Sequence, residues 1–260
     1  MDGASRRLLG ILSRSAYASL REVIQRTVER RDVVPGFVAS LQTFGAYLNW
    51  QPHVHGLVSE GGFTRGGAFV TLWSLDTGAV EQRFRRKVIR QLLRAERLSE
   101  EFAERLRSWS PSGFDVHAGR QIGMNEVSRI EEMGRYMTRA AFGQDRAELL
   151  DDGRVLVPTP SDPTTGATAL LLDPIEAVHR IVMQIPDRGA HGVRYYGAYS
   201  CRGRRTGAQD AGTRRSQAEA SPSAEAEEAL RHAADESPYA RNRRRTWAML
   251  LRHIYEVEPL

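Results

Sequence analysis

The chain has 260 residues, 41% of them hydrophobic and 27% charged, which is enough apolar material for one sizeable core or two small ones. A net charge of +5 points to an anionic partner. A single cysteine, Cys201, excludes a disulfide framework or a Cys-based zinc module, and no apolar run approaches the ~18 residues needed to span a membrane.

Lys87 is the one lysine among 37 basic residues, so arginine carries nearly all the positive charge. Its planar fork binds phosphate oxygens in pairs, although a GC-rich genome would give the same bias. The first residues lack the ordered charge and apolar run of a secretory signal, and the expected location is cytoplasmic.

In chain order, apolar residues at helical spacing predict a helix over 8–31, from Leu9 and Leu12 to Val28. Pro35-Gly36 breaks it. Phe37, Val38, Leu41, Phe44 and Leu48 predict a second helix, ended by Pro52. Gln51 to Val58 alternates as a strand, placing His53 and His55 on one face while Val54 and Val58 point into a core. Gly61-Gly62 and Gly66-Gly67 predict a hairpin over 63–72.

A long Arg-rich helix follows over 80–108, broken near Ser99. Phe114 to Arg120 reads as a short strand bearing His117, and 128–142 as a helix bearing Tyr136. Strands are expected at 154–157 and 167–172, then a helix begun by Asp173-Pro174 and ending near Gln184. Val193 to Tyr199 is an aromatic strand or turn. Residues 206–238 read as a disordered linker, and 239–260 as a C-terminal helical segment. The order of elements gives an α+β fold with an antiparallel sheet and flanking helices.

Two imidazoles on one strand face make half of a metal site. A catalytic ion needs at least one more ligand, and the candidates are His117, Gln42, Asn49 and Glu60. His117 is favoured because strand pairing would set it beside the pair. No serine elbow, phosphate loop or cysteine nucleophile is present, which leaves tyrosine. Tyr136 lies one step from its helix's apolar stripe, with Arg135 and Arg139 placed to hold a phosphate. Arg194, Tyr195 and Tyr196 suit phosphate contact and base stacking; Tyr195, Tyr196 and Tyr199 are rival nucleophiles.

The ordered segments Gln42-Thr-Phe-Gly45, Gln51-Pro-His-Val-His-Gly-Leu-Val58, Gly113-Phe-Asp-Val-His117, Met133-Gly-Arg-Tyr-Met-Thr-Arg139 and Val193-Arg-Tyr-Tyr-Gly-Ala-Tyr199 resemble the rolling-circle, HUH-type tyrosine transposases of bacterial insertion sequences. The resemblance covers residues 8–205, within one nicking domain read over 1–205, and implies a ferredoxin-like or RRM-like core. It implies Tyr136 as nucleophile and His53 and His55 as metal ligands, with Mg²⁺ or Mn²⁺ as cofactor. The expected partner is single-stranded DNA at transposon ends, the product a 5′-phosphotyrosine, and the protein would be nucleoid-associated. Family members usually carry Cys-rich segments at both ends, so the chain reads as truncated. Glu132 stands where two-tyrosine members have their other tyrosine, which suggests a single-tyrosine form. Two other readings are an inactive remnant that only binds nucleic acid and, last, an amidohydrolase, for which the βα units of a barrel are lacking.

Overall fold

A computed structural model of the protein describes residues 8–203, apart from 120, 124, 141–146, 163 and 202. The expected linker at 206–238 and C-terminal helix at 239–260 lie outside the described residues. Those described form two compact units, one of 8–118 with 138–201 and a smaller one of 119–137 with 203. The architecture is mixed α and β, with antiparallel sheets and flanking helices. No described helix is long and apolar enough to cross a membrane.

The larger unit begins with α1, Leu9–Thr27, as its periodicity predicts. The next segment departs from expectation: Gly36–Phe44 is a strand, β1, rather than a helix. β1 is the middle strand of a three-stranded sheet, paired antiparallel with β2 (Trp50–Val58) and with β8 (Val193–Gly197). Gly36 to Ser40 are all buried, because the strand is covered on both faces. Such a run is apolar at nearly every position, and a helical period fits it as well as a strand does. Leu48, counted as the end of that helix, lies in the turn before β2 with a φ of 53°.

Alternation divides the sheet into two faces. Phe37, Ala39 and Tyr196 point towards α1 and pack with Leu20, Val23, Tyr17 and Val54. Tyr17 stacks on Tyr196 at 5.1 Å between ring centroids. Gly56 is required beneath this cluster, since a Cβ there would stand 2.1 Å from the Phe37 ring. Val54 meets the core as expected, whereas Val58 at the strand end is 38% exposed.

α1 approaches its neighbours through small residues, and Ser13, Ser15 and Ser19 are fully buried. The Tyr196 hydroxyl donates to Ser13 Oγ at 2.8 Å, and the Gln91 amide donates to Ser15 Oγ at 2.7 Å.

The hairpin at 61–71 forms as expected from β3 (Gly61–Phe63) and β4 (Phe69–Thr71). The Arg-rich stretch is two helices, α2 (Thr77–Arg94) and α3 (Glu100–Ser108). The break occurs where Ser99 caps α3 by accepting from the Phe102 amide. In the smaller unit, α4 spans Val127–Thr138. Back in the larger unit, β5 (Glu148–Leu149), β6 (Val155–Pro158) and β7 (Ala169–Leu172) make a second antiparallel sheet, of which β5 was not foreseen. α5, Pro174–Gln184, starts at Asp173, whose carboxylate accepts from the Ile175 amide.

Candidate functional site

The histidine strand forms where its alternation puts it, and its register with β1 fixes what surrounds the imidazoles. Gln42 stands opposite His53 and Ser40 opposite His55. Directly opposed residues share a face, so all four project from the side of the sheet away from α1. Ser40 and Gln42 are both only 4% exposed.

The two rings meet edge to face, with centroids 4.8 Å apart and the Nε2 atoms 3.1 Å apart. The His53 Nδ1 is 2.7 Å from the Gln51 carbonyl oxygen, so this nitrogen carries the proton and Nε2 keeps its lone pair. Two imidazole nitrogens bound to one ion at about 2.1 Å, at near right angles, stand roughly 3.0 Å apart. The pair therefore fits two adjacent positions of one metal ion. Burial lowers the His55 pKa, and the charges of His53 and Arg139 lower it further. Its neutral form, the one that ligates, is favoured.

Arg139 joins the pair. Its guanidinium lies 5.7 Å from the centre of the Phe44 ring, and Phe44 in turn meets the edge of His53 at 6.4 Å. Of the residues singled out from sequence, His53, His55 and Arg139 are thus brought together.

Others are not. The expected strand over 114–120 is absent in its described part, and among the described residues β2 pairs with β1 alone. The pairing expected to set His117 beside the histidines is not found among them. His117 is instead 89% exposed and bonded to Asp115 through Nε2 at 2.7 Å. No group of three His, Cys, Asp or Glu able to hold a metal occurs among the described residues.

Tyr196, expected to stack on bases, is committed to the core with Tyr17 and Phe37. Its neighbour Tyr195 projects from the opposite face, across from Val38. Arg194 shares the α1 side with Tyr196, so it too points away from the histidines. Tyr136 and Arg135 lie on exposed positions of α4 in the smaller unit, with Tyr136 43% exposed. Ser40 is the site neighbour that sequence reading missed; its position becomes visible only once 36–44 is taken as a strand in register with β2.

Residues 36–206 match a family described as "Putative transposase". The chain is 24% identical, over 184 residues, to the transposase for insertion sequence element IS801 of Pseudomonas savastanoi pv. phaseolicola. That match covers 65% of this chain and 44% of the relative, so the chain spans less than half of the relative's length. No solved structure matches it.

Proposed function

This chain belongs to the transposase family, and we propose that it cuts and rejoins single-stranded DNA at the ends of a mobile element through a covalent tyrosine intermediate. The observation that carries this reading is the histidine pair, with Nε2 atoms 3.1 Å apart, one tautomer fixed by a carbonyl, and an arginine alongside. Tyr136 stands three residues before that arginine in the chain. An antiparallel sheet with a helix on one face and histidines on the other supports an HUH-type core.

In this mechanism the DNA strand lies against the histidine face. The Tyr136 Oη attacks the phosphorus of one phosphodiester and its proton passes to water. The bond from phosphorus to the 3′ oxygen breaks, and that oxygen takes a proton to become a 3′-hydroxyl. The 5′ side remains on Tyr136 as a phosphotyrosine ester. Because the ester preserves the energy of the bond, a 3′-hydroxyl can attack it and reseal a strand without a nucleotide cofactor.

Arg139 would contact the non-bridging oxygens, where charge gathers during attack. His53 and His55 would hold Mg²⁺ or Mn²⁺, which when bound supplies positive charge to the same oxygens. The Gln51 carbonyl keeps the His53 ring in its ligating tautomer.

The test is a covalent protein–DNA adduct on a denaturing gel, using single strands that carry the element's ends and added Mn²⁺. Tyr136→Phe should abolish it, and His53→Ala should slow its formation by about 10²–10³-fold. An adduct that persists in Tyr136→Phe would move the nucleophile to Tyr195 or Tyr199. No adduct on any such strand would leave a chain that only binds nucleic acid.

A further inference from the structure

We propose that the groove between α1 and α2 is a second nucleic-acid site, which grips the sugar–phosphate backbone of duplex DNA on the side of the sheet away from the histidines. The inference rests on the reading of this chain as a DNA-handling transposase.

The groove has a volume of about 510 Å³, and its polar lining is Arg14 from α1 with Lys87, Arg90, Gln91 and Arg94 from α2. Among the described residues no carboxylate lines it. Lys87 is already paired with Glu22 at 2.9 Å, whereas Arg14, Arg90 and Arg94 are exposed. On the other flank of α2, Arg90 also borders a cavity of about 440 Å³ with Arg85, Arg86, Arg107 and one carboxylate, Glu81.

Arg194 extends the cluster from β8. Its Nη1 lies 2.9 Å, and that of Arg14 2.7 Å, from the point where a Cβ on Gly10 would stand. Two guanidinium groups held this close repel each other, and an anion between them would relieve the cost. Gly10 leaves the room in which they meet.

The lining favours a duplex over a single strand. Among the described residues no aromatic lines the groove, so they offer nothing for an unpaired base to stack on. Arg90 and Arg94, four residues apart on α2 or roughly 6 Å of rise, line the groove together, whereas Arg86 one step earlier borders the other cavity. Position sets this site apart from the nicking face, because α1 packs on the Phe37 and Tyr196 side while His53 and His55 project from the other. α1 also precedes the family match, which begins at residue 36.

A transposase that nicks one strand on the histidine face could in this way hold adjoining double-stranded DNA on the helical face. The test uses the full chain and fluorescence anisotropy, with a blunt DNA duplex, an RNA duplex and an oligothymidylate of equal length, each titrated with salt. The double variant Arg90→Glu with Arg94→Glu should bind the DNA duplex about tenfold more weakly, with a salt slope shallower by roughly 1–2. Its oligothymidylate affinity and its adduct formation should stay within about twofold of wild type. Arg90→Gln with Arg94→Gln gives a smaller loss in the same direction and serves if the charge reversal fails to fold.

Unchanged duplex affinity in both variants would overturn the proposal. So would an equal loss for oligothymidylate, or tighter binding of the RNA duplex. If wild type forms the adduct but binds no duplex, this site falls and the nicking function stands. If it forms no adduct yet shows the variant-sensitive duplex binding, the nicking function falls and this site stands.

Discussion

The two faces of the three-stranded sheet are made from alternate residues of the same strands, yet they differ in kind. Towards α1 the sheet presents Phe37, Ala39, Val54 and Tyr196, a continuous apolar and aromatic surface. Away from α1 it presents Val38 and Tyr195 beside Ser40, Gln42, His53 and His55, of which Ser40 and Gln42 are as well buried as Phe37. Burying polar groups yields less stability than burying apolar ones, even when they find partners. The comparison assigns the work: one face holds the fold, and the other holds a chemical site at some cost to the fold.

The largest expected effect tests that division directly. Phe37→Ala should cost about 3–5 kcal/mol in denaturant unfolding, because the ring is 4% exposed and meets both Tyr17 and Tyr196. His55→Ala, on the neighbouring strand but the opposite face, should cost less than about 1 kcal/mol. Similar losses for the two would show that the histidine face is also structural.

A smaller effect separates packing from DNA contact at one residue. Tyr196→Phe keeps the stacked ring and removes only the hydroxyl that donates to Ser13. The loss should be about 0.5–1.5 kcal/mol, with single-stranded DNA affinity unchanged. A drop in that affinity with full stability would return Tyr196 to the nucleic-acid surface, against its position in the core.

Two helix starts were legible because their signals are local: Ser99 and Asp173 each accept a backbone N–H within three residues of themselves. The Asp76 cap of α2 was not read, and that helix was expected only from Val80. The histidine strand was legible through its alternation, which survives because one side of it stays partly open. β1 was not, since its residues from Gly36 to Ser40 are covered on both sides and lose the polar half of the pattern. His117 and Tyr196 were misplaced for a related reason. Which strand neighbours which is a non-local property: the described part of 114–120 forms no strand to pair with β2, and the order β2-β1-β8 turns Tyr196 under α1. Arg139 was picked for its closeness to Tyr136 in sequence, but its cation–π contact with Phe44, beside His53, could not be foreseen while Phe44 was assigned to a helix.

The smallest effect concerns how α1 is tied down on its own side of the sheet. Glu22 receives Arg83 Nε at 3.1 Å and Lys87 Nζ at 2.9 Å, a clamp from α1 to α2. These bonds, that of Lys87 first, hold the Glu22 carboxyl below its usual value of 4.5. A carboxylate depressed in the folded state stabilises the protein above the unfolded value, and the gain is lost as the pH falls through the folded value. Glu22 is 37% exposed, so solvent screens the clamp and Glu22→Gln should cost less than about 1 kcal/mol at pH 7. The gap between wild type and variant should narrow as the pH drops below about 4.5 and close once Glu22 is protonated in both states. Denaturant unfolding across that range measures it. A gap independent of pH would mean that the variant acts through packing of the side chain stem, and that charge adds nothing to the hold of α1 on α2.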